Sequence, residues 1–224
     1  MELKISFSIN ESLFLKDPES TALGKRIIQQ SIVLISELGF ESFTFKKLAN
    51  SINTTEPSIY RYFENKHRLL LYIINWYWSY LDYLMDNRIR NLNNPNQKLE
   101  IAISLLTQAF PEEQVGLEYD RKKLHGIVIA ESSKVYLTKE VSEINRNQAF
   151  KPYKELCAHL AAIIQEISPN YPFAHSLSST LIETAHHQQF FCDHLPRLTD
   201  ITTMRSENYV HQFIQKLAQD CLRS

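Results

Sequence analysis

Residues 44–69, TFKKLANSINTTEPSIYRYFENKHRL, combine two short helical patterns with a tight polar turn between them. Thr44 can cap the start of the first helix, and Thr55 can cap a second helix over residues 56–63. Asn53 stands in the turn, where a left-handed backbone is required and asparagine tolerates it. Two short helices joined by a turn of about three or four residues are typical of a DNA-reading helix-turn-helix.

The apolar residues of this stretch mark the face of each helix that is expected to be buried. Leu48 and Ala49 are predicted to face inward from the first helix. Ile59 and Phe63, which lie four residues apart, do the same from the second helix. The other faces of the second helix carry Ser58, Tyr60, Arg61 and Tyr62.

Positive charge is concentrated around the same stretch. The whole chain has a formal net charge of −1, so its overall charge does not indicate a general affinity for nucleic acid. Residues 20–70, however, carry seven Lys/Arg and four Glu, a net charge of +3. Residues 1–19, with two Lys and four Asp/Glu, have a net charge of −2. The excess of positive charge therefore coincides with the helix-turn-helix and supports phosphate contact there.

Size and composition favour a helix-rich globular protein. The chain has 224 residues, 44% of them hydrophobic, and only four glycines, which suits one large domain or two small ones. Residues 69–85 are the most membrane-like run, but Asn75 and Asp82 interrupt it and it is short for a span. Lys4 and Glu11 likewise interrupt any signal-peptide pattern. We therefore predict no membrane contact and a cytoplasmic location.

The three cysteines are too few and too far apart to form a disulfide framework. Cys157, Cys192 and Cys221 include no Cys-x-x-Cys pair, which argues against a disulfide scaffold or a zinc module and favours a reducing compartment. The chain also shows no Gly-x-Ser-x-Gly, His-Glu-x-x-His or glycine-rich phosphate loop. We predict no catalytic residues, no cofactor and no enzymatic activity.

Helical periodicity extends through the chain beyond the N-terminal arm. Residues 1–16 alternate apolar and polar side chains, which predicts an extended arm lying on the body of the protein or on another protomer. A basic arm could enter a minor groove, but this one is apolar and acidic. The predicted helices occupy residues 17–38 (ended by Gly39), 66–91, 98–110, 121–136, 139–167 (broken near Pro152), 173–195 and 202–222, with a loop or short helix at 112–119.

These patterns predict an all-α fold with about nine or ten helices. An arm at residues 1–17 precedes a three-helix DNA-binding domain at residues 18–65. A second helical domain follows at residues 66–224. Phe40, Phe43 and Phe45 are predicted to fill the small core of the DNA-binding domain.

The motif resembles the N-terminal domain of the tetracycline-repressor (TetR) family of bacterial transcription regulators. The family pattern is Thr, Ile-Ala, a Gly-Val-Ser turn, Leu-Tyr, Tyr-Phe and a Lys that begins the next helix. This chain has Thr44, Leu48-Ala49, Asn53-Thr54-Thr55, Ile59-Tyr60, Tyr62-Phe63 and Lys66 at those places, after Gly39-Phe40 at the end of the first helix. Asn53 and Thr54 depart from the family's Gly and Val. The resemblance covers about a quarter of the chain, residues 20–70.

The resemblance implies a homodimer whose recognition helices enter successive major grooves of a palindromic operator in double-stranded DNA. It also implies a repressor released by a small-molecule inducer. The helical domain at residues 66–224 would then serve ligand binding and dimerisation, with the dimer formed through the last two helices, at residues of about 173–222. Two alternatives stay open. The first is a regulator of the same fold without a small-molecule inducer, acting as an activator or controlled by a protein. The second is a helical interaction protein that has lost DNA binding.

Five residues are candidates for contact with the phosphate backbone. Thr44 and Thr55 offer hydroxyls, together with the amides of helix N-termini. Tyr60, Tyr62 and Lys66 stand at positions that the resembled family uses for backbone contact. Their phenol and ammonium groups suit phosphate oxygens.

Four residues at the start and on the exposed face of the recognition helix are candidates for base contact. They are Glu56, Pro57, Ser58 and Arg61. Arg61 could pair with a guanine, and Glu56 could accept a hydrogen bond from a cytosine amino group. A plain solvated helix surface is the alternative for each of them.

The aromatic residues of the helix at 66–91 are the candidates for ligand binding. Trp76, Trp78, Tyr80 and Tyr83 could line a pocket for a flat or apolar inducer. Trp76, Tyr80 and Tyr83 lie on one stripe, which favours a plain core role. Trp78 lies off that stripe, where it would meet another helix or the ligand.

Histidines gather near the C-terminus without making a convincing metal site. Glu183, His186, His187, Cys192 and His194 lie close together in the sequence, but a Glu-x-x-His pair holds metal only with further ligands from another helix. This helix is more simply explained as part of a dimer interface, and we predict no metal. The apolar interface contacts would come from Leu181, Ile182, Phe190 and Phe191.

Overall fold

The computed structural model describes residues 7–107, 119–139 and 141–223. Among these residues it contains eleven α-helices and no strand, so the predicted all-α fold is confirmed. The helices are α1 (Ala22–Ser42), α2 (Phe45–Ser51), α3 (Glu56–Tyr60), α4 (Lys66–Ile89), α5 (Pro95–Thr107), α6 (Arg121–Glu131), α7 (Ser133–Tyr136), α8 (Val141–Arg146), α9 (Lys151–Ile167), α10 (Ala174–His194) and α11 (Ser206–Leu222). Single 3-10 turns occupy Glu11–Leu13, Pro18–Ser20 and Pro196–Leu198.

Three stretches that were predicted as helices are divided in the structure. Residues 17–38 form the 3-10 turn Pro18–Ser20 and then α1, which begins at Ala22. Residues 121–136 form α6 and α7, with Ser132 as both the end of the first and the start of the second. The stretch 139–167 breaks before α9, where Gln148 has a left-handed backbone with φ 55°. Pro152 then lies in the first turn of α9, where a missing N–H costs little. The predicted end of the helix at residue 110 and most of 112–119 lie outside the described residues.

The described part of the N-terminal arm contains no regular strand. Residues 7–10 have no regular structure, and Glu11–Leu13 is a 3-10 turn capped by the side chain of Asn10. The arm lies on the body of its own chain: Leu13 is buried, and the Leu15 N–H donates to the Tyr62 carbonyl over 2.8 Å. This placement agrees with the first of the two predicted positions, the body of the protein.

The chain divides into two compact units. The first comprises Met1–Tyr77 and Glu112–Lys151, and the second comprises Trp78–Pro111 and Pro152–Ser224. Helix α4 therefore contributes its first half to one unit and its second half to the other. These units are defined by their internal contacts, and the functional division at residues 17 and 65 stays a prediction.

The core of the first unit is formed by branched aliphatic and aromatic side chains from α1 to α4. Phe40, Phe43 and Phe45 are buried, as predicted for the small core of the helix-turn-helix. Gly24 permits the close approach of the Pro18 turn to α1, because a Cβ there would lie 2.2 Å from the Pro18 carbonyl oxygen. Other fully buried residues in this unit are Ile27, Ile28, Ile32, Ile35, Leu48, Ile59 and Phe63.

The second unit is a packed bundle that includes α5, α9, α10 and α11. Leu181 and Ile182 are fully buried inside it, so their predicted role in a dimer interface is wrong. Gln189 on α10 donates to the backbone carbonyl of Thr107 at the end of α5, and the Ser178 hydroxyl donates to the Cys157 carbonyl on α9. Within the part of the chain that the structure describes, no helix is long and apolar enough to cross a membrane.

Candidate nucleic-acid interface

The first helix of the motif begins where the sequence predicts. Gly39, with φ 74°, interrupts the regular helical backbone of α1, and the chain turns through Phe43. Thr44 then caps α2, because its Oγ1 accepts a hydrogen bond from the Lys47 N–H over 3.2 Å. The predicted Thr44 cap and the Gly39 break are confirmed.

The turn between α2 and α3 is held by the backbone. Asn53 has φ 51°, which confirms the predicted left-handed position. The Thr54 N–H donates to the Ala49 carbonyl over 2.9 Å, and Arg26 on α1 donates to the Ile52 carbonyl over 2.5 Å. These bonds fix the angle between the two helices, since they tie the turn to both α2 and α1.

The recognition helix is shorter than predicted. Helix α3 ends at Tyr60, and the N–H groups of Tyr62 and Phe63 both donate to the Ile59 carbonyl, over 2.8 and 3.2 Å. Thr55 stands at the N-cap position but makes no capping bond with the backbone; its hydroxyl lies 3.0 Å from the Ser58 hydroxyl. The predicted Thr55 cap is therefore wrong, and both hydroxyls lie at the start of α3.

Most of the predicted DNA-contacting residues are exposed or half-buried. Tyr60 is 47% exposed, although one edge of its ring packs against Phe45 at a centroid distance of 5.0 Å. Arg61 is exposed and follows α3 directly. Thr44, Thr55 and Pro57 are also exposed, and Glu56 and Ser58 are half-buried.

Tyr62 is placed differently from its predicted role. Its side chain is 4% exposed, and its hydroxyl lies 2.8 Å from the Thr21 hydroxyl at the start of α1. The Lys16 ammonium lies over its ring, 5.3 Å from the centroid. Tyr62 thus joins the arm and α1 to the end of the recognition helix, and this role suits positioning better than phosphate contact.

Lys66 also has a structural role that the motif did not reveal. Its ammonium donates to the carbonyls of Phe40, Glu41 and Phe43 over 3.0, 3.0 and 3.3 Å. It also lies over the Phe40 ring, 4.7 Å from the centroid. A cation at these carbonyls stabilises the C-terminal end of α1, where the helix leaves acceptors without partners.

Replacing Lys66 with Met tests which role dominates. We expect Lys66→Met to lower the free energy of unfolding by about 1–3 kcal/mol, because hydrogen bonds from a charged donor are lost. The salt dependence of DNA binding should stay unchanged. The control is Lys46→Met, an exposed lysine on α2, which should reduce that salt dependence without loss of stability. The opposite pattern would return Lys66 to the phosphate-contacting set.

Lys46 and Lys47 on α2 were not singled out from the sequence, yet both are exposed beside the predicted contact residues. Lys47 is partly engaged, since its ammonium donates to the Ser42 carbonyl over 2.7 Å. The local excess of positive charge was the signal that could have identified them.

The four aromatic ligand candidates do not form one group. Trp76 is buried in the first unit, where its ring packs edge-on against Phe7 and Tyr119 at 5.4 and 4.9 Å. Trp78 is buried in the second unit, where its ring lies 4.9 Å from that of Tyr153. Tyr80 is fully buried, which confirms its core role together with that of Trp76. Tyr83 is 38% exposed, so its predicted core role is wrong.

The histidine-rich segment of α10 is used for packing. The His186 ring lies 5.3 Å from Trp78, and the Glu183 carboxylate accepts a 2.6 Å hydrogen bond from the Tyr153 hydroxyl. The Glu-x-x-His spacing of Glu183 and His186 occurs a second time in the sequence, at Glu64 and His67 in the first unit. Across residues 7–107, 119–139 and 141–223, no group of three or more His, Cys, Asp or Glu side chains could hold a metal ion.

Comparison with known proteins supports the identification of residues 44–69 as part of a helix-turn-helix domain. Residues 27–73 match the family model described as bacterial regulatory proteins, tetR family. A curated relative, the uncharacterized HTH-type transcriptional regulator YvaF of Bacillus subtilis (strain 168), is 23% identical over 167 residues, covering 70% of this chain and 87% of YvaF.

Solved structures share the fold over most of the chain. The fatty acid degradation regulator FadR from Bacillus halodurans is 15% identical with a TM-score of 0.59, covering 89% of this chain and 97% of FadR. AibR, solved in complex with isovaleryl coenzyme A and operator DNA, is 13% identical with a TM-score of 0.55, covering 86% of this chain and 97% of AibR. At these identities the likeness concerns the fold.

Proposed function

We propose that this chain, a transcriptional regulator of the tetR family, acts as a homodimeric repressor that a small molecule releases from a palindromic operator. The observation that carries the proposal is the exposed face of the helix-turn-helix. Its two helices and left-handed turn have the geometry of a DNA reader, and its accessible side chains include hydroxyls, a phenol and a guanidinium. The matched family model is described as bacterial regulatory proteins, and the relative YvaF and the structure of FadR are both named as regulators.

We divide the DNA-contacting residues by their position on that face. Arg61 and Ser58, with Glu56 and Pro57 at the start of α3, are proposed to face base edges in the major groove. Tyr60, Thr44 and Thr55 are proposed to contact phosphates on either side. Tyr62 is proposed to hold the end of the recognition helix to α1, and Lys66 is proposed to hold the start of α4 to the end of α1.

Dimerisation is proposed to use the half-exposed surface of the last two helices. A short motif makes few base contacts, so two-fold pairing doubles them and fixes the spacing of the half-sites. On α10, Phe190 and Phe191 are only half-buried, and Phe191 stacks with His187. On α11, Val210, Ile214 and Ala218 face the core of the unit, whereas Phe213 is 38% exposed on another side.

Phe213→Asp is expected to convert the dimer into a monomer. A carboxylate at this site cannot be desolvated without large cost, so it opposes burial against a second copy but leaves the core of the unit intact. Sedimentation velocity should show half the mass, with unchanged helical content. The matched control is Leu137→Asp, which puts the same charge at an apolar side chain that is 78% exposed on the first unit. A dimeric Phe213→Asp protein would exclude this surface.

Control of DNA binding by a small-molecule ligand is proposed on two grounds, a structure that shares the fold and a cluster of side chains in the second unit. AibR was solved in complex with both isovaleryl coenzyme A and operator DNA, so a protein of this fold can bind a small molecule as well as an operator. In this chain, Trp78, Tyr153 and Glu183 place aromatic and hydrogen-bonding groups together inside the second unit. A ligand that favours a dimer with wrongly spaced recognition helices would lower the DNA affinity by its preference for that state.

A further inference from the structure

A cavity of about 440 Å³ lies within the first unit, between the first turns of α4 and helices α7 and α8. Its volume falls in the range of small-molecule sites, roughly 300–1,000 Å³. Arg68 and Leu71 line it from α4, and Lys134, Val135, Thr138 and Glu143 line it from the other side. It is distinct from the Trp78 cluster, which belongs to the second unit.

Two donors at this cavity are buried without a hydrogen-bond partner among the described residues. They are Nη1 of Arg68 and the hydroxyl of Thr138. The guanidinium of Arg68 has one ion pair, from Nε to the exposed carboxylate of Glu64, and at 3.8 Å it is too long for a hydrogen bond. A buried donor of this kind strongly favours an acceptor, and a carboxylate can accept from a guanidinium and a hydroxyl together.

Glu64 and Glu143 both line the same space. Glu64 pairs with Arg68, whereas Glu143 is an exposed residue whose carboxylate makes no ion pair with a described side chain. A ligand with a carboxylate alone would meet this negative charge, and so would a phosphate. An amino group on the ligand would instead turn the charge of Glu143 into an attraction.

We propose that this cavity binds a small molecule that carries both a carboxylate and an amino group. The carboxylate accepts hydrogen bonds from Arg68 and Thr138, and the amino group donates to Glu143. The apolar side chains of Leu71 and Val135 contact the carbon skeleton between the two charged ends.

The cavity is linked to the DNA-binding helices by Lys134. Its ammonium pairs with Glu131 over 2.7 Å and with Glu41 over 3.1 Å. Burial alone would lower the pKa of Lys134, but hydrogen bonds with Glu131 and Glu41 outweigh it and raise the pKa. Glu131 is itself buried and accepts a 3.1 Å hydrogen bond from the backbone N–H of Phe40, just after the break in α1. A carboxylate entering the cavity competes for Lys134 and so changes how the end of α1 is held.

Binding is tested directly, without DNA. The purified protein is titrated, by nuclear magnetic resonance and calorimetry, with the twenty standard amino acids, 4-aminobutanoate and 6-aminohexanoate, and with acetate and methylammonium as single-charge probes. We expect saturable binding of at least one amino acid and weaker binding of acetate and methylammonium. Arg68→Met, Thr138→Val and Glu143→Gln should each weaken that binding, by about tenfold or more for Arg68→Met.

The matched control is Arg90→Met. Arg90 pairs with Asp86 four residues before it, as Arg68 does with Glu64, but it lies beyond the other end of α4. It should leave amino-acid affinity unchanged. Circular dichroism establishes that each variant is folded. If Arg68→Met does not fold, Thr138→Val and Glu143→Gln still test the proposed site. The proposal is overturned if no amino acid binds saturably, if the single-charge probes bind equally well, or if the cavity variants bind as the wild type does.

The link to α1 rests on the proposed DNA-binding function and is measured separately. Adding the bound amino acid should change DNA affinity in the wild type but not in Glu131→Gln, which weakens the pairing with Lys134 and retains an amide oxygen to accept from Phe40. An equal change in both proteins would contradict the link. A protein that fails to bind DNA would instead contradict the proposed function and leave the binding result intact.

Discussion

Arg61→Glu is expected to abolish operator binding while leaving the protein folded. Arg61 is exposed and follows the recognition helix, so its replacement removes a cation and adds an anion at the DNA surface. A dimer would carry this change twice, and we expect DNA affinity to fall on the order of 100-fold in moderate salt. Because the side chain has no hydrogen-bond partner among the described residues, the free energy of unfolding should change by less than about 0.5 kcal/mol.

Fluorescence anisotropy with a selected operator and with unrelated DNA measures the effect. The control is Arg146→Glu, the same charge reversal at an exposed position of α8. Arg146→Glu should lower DNA affinity far less, because it changes only the overall charge of the protein. The milder Arg61→Ala should relax preference at one base position of each half-site. Equal loss in Arg61→Glu and Arg146→Glu would show that overall charge, rather than this face, governs DNA binding.

Phe63→Ala is expected to destabilise the first unit severely. Phe63 is fully buried, its ring lies 5.6 Å from that of Tyr72 on α4, and its N–H donates to the Ile59 carbonyl. Truncating a buried phenylalanine leaves a cavity and costs about 3–5 kcal/mol, a large share of the stability of a domain. DNA binding should fall with it, because the recognition helix depends on this contact for its position.

Urea unfolding followed by circular dichroism measures this loss of stability. Phe173→Ala is the matched control, since it removes the same atoms from a side chain that is 62% exposed. It should change the free energy of unfolding by less than about 0.5 kcal/mol. A Phe63→Ala protein as stable as the control would mean that Phe63 does not carry the packing of the recognition helix.

The elements that sequence predicted well are those with local causes. Thr44 caps the helix that follows it, because its hydroxyl oxygen accepts a 3.2 Å hydrogen bond from the Lys47 N–H. Asn53 and Gly39 have the positive φ values that their residue types allow. Each of these depends on a few neighbouring residues, so the pattern of residue types is sufficient to predict it.

The features that sequence did not predict depend on distant partners. Tyr62 is buried because Thr21, 41 residues earlier, meets its hydroxyl. Lys66 binds carbonyls up to 26 residues away. The periodicity of α4 placed Tyr83 on the core stripe with Trp76 and Tyr80, but it does not show how far around the helix the neighbouring elements reach. Leu84, Met85 and Ile89 lie farther along α4 and are buried, so Tyr83 stands at the side of the buried face. Such outcomes are set by packing between elements, which spacing along the chain does not encode.

Selection of bound sequences from random double-stranded DNA with the purified full chain tests the central claim most directly. The account predicts enrichment of a palindrome whose half-sites lie about 10 base pairs apart, centre to centre, or a multiple of that spacing. Arg61→Ala should lose preference at one symmetric pair of positions within it. Absence of any enriched sequence, or enrichment of a single unpaired half-site by a dimeric protein, would contradict the account.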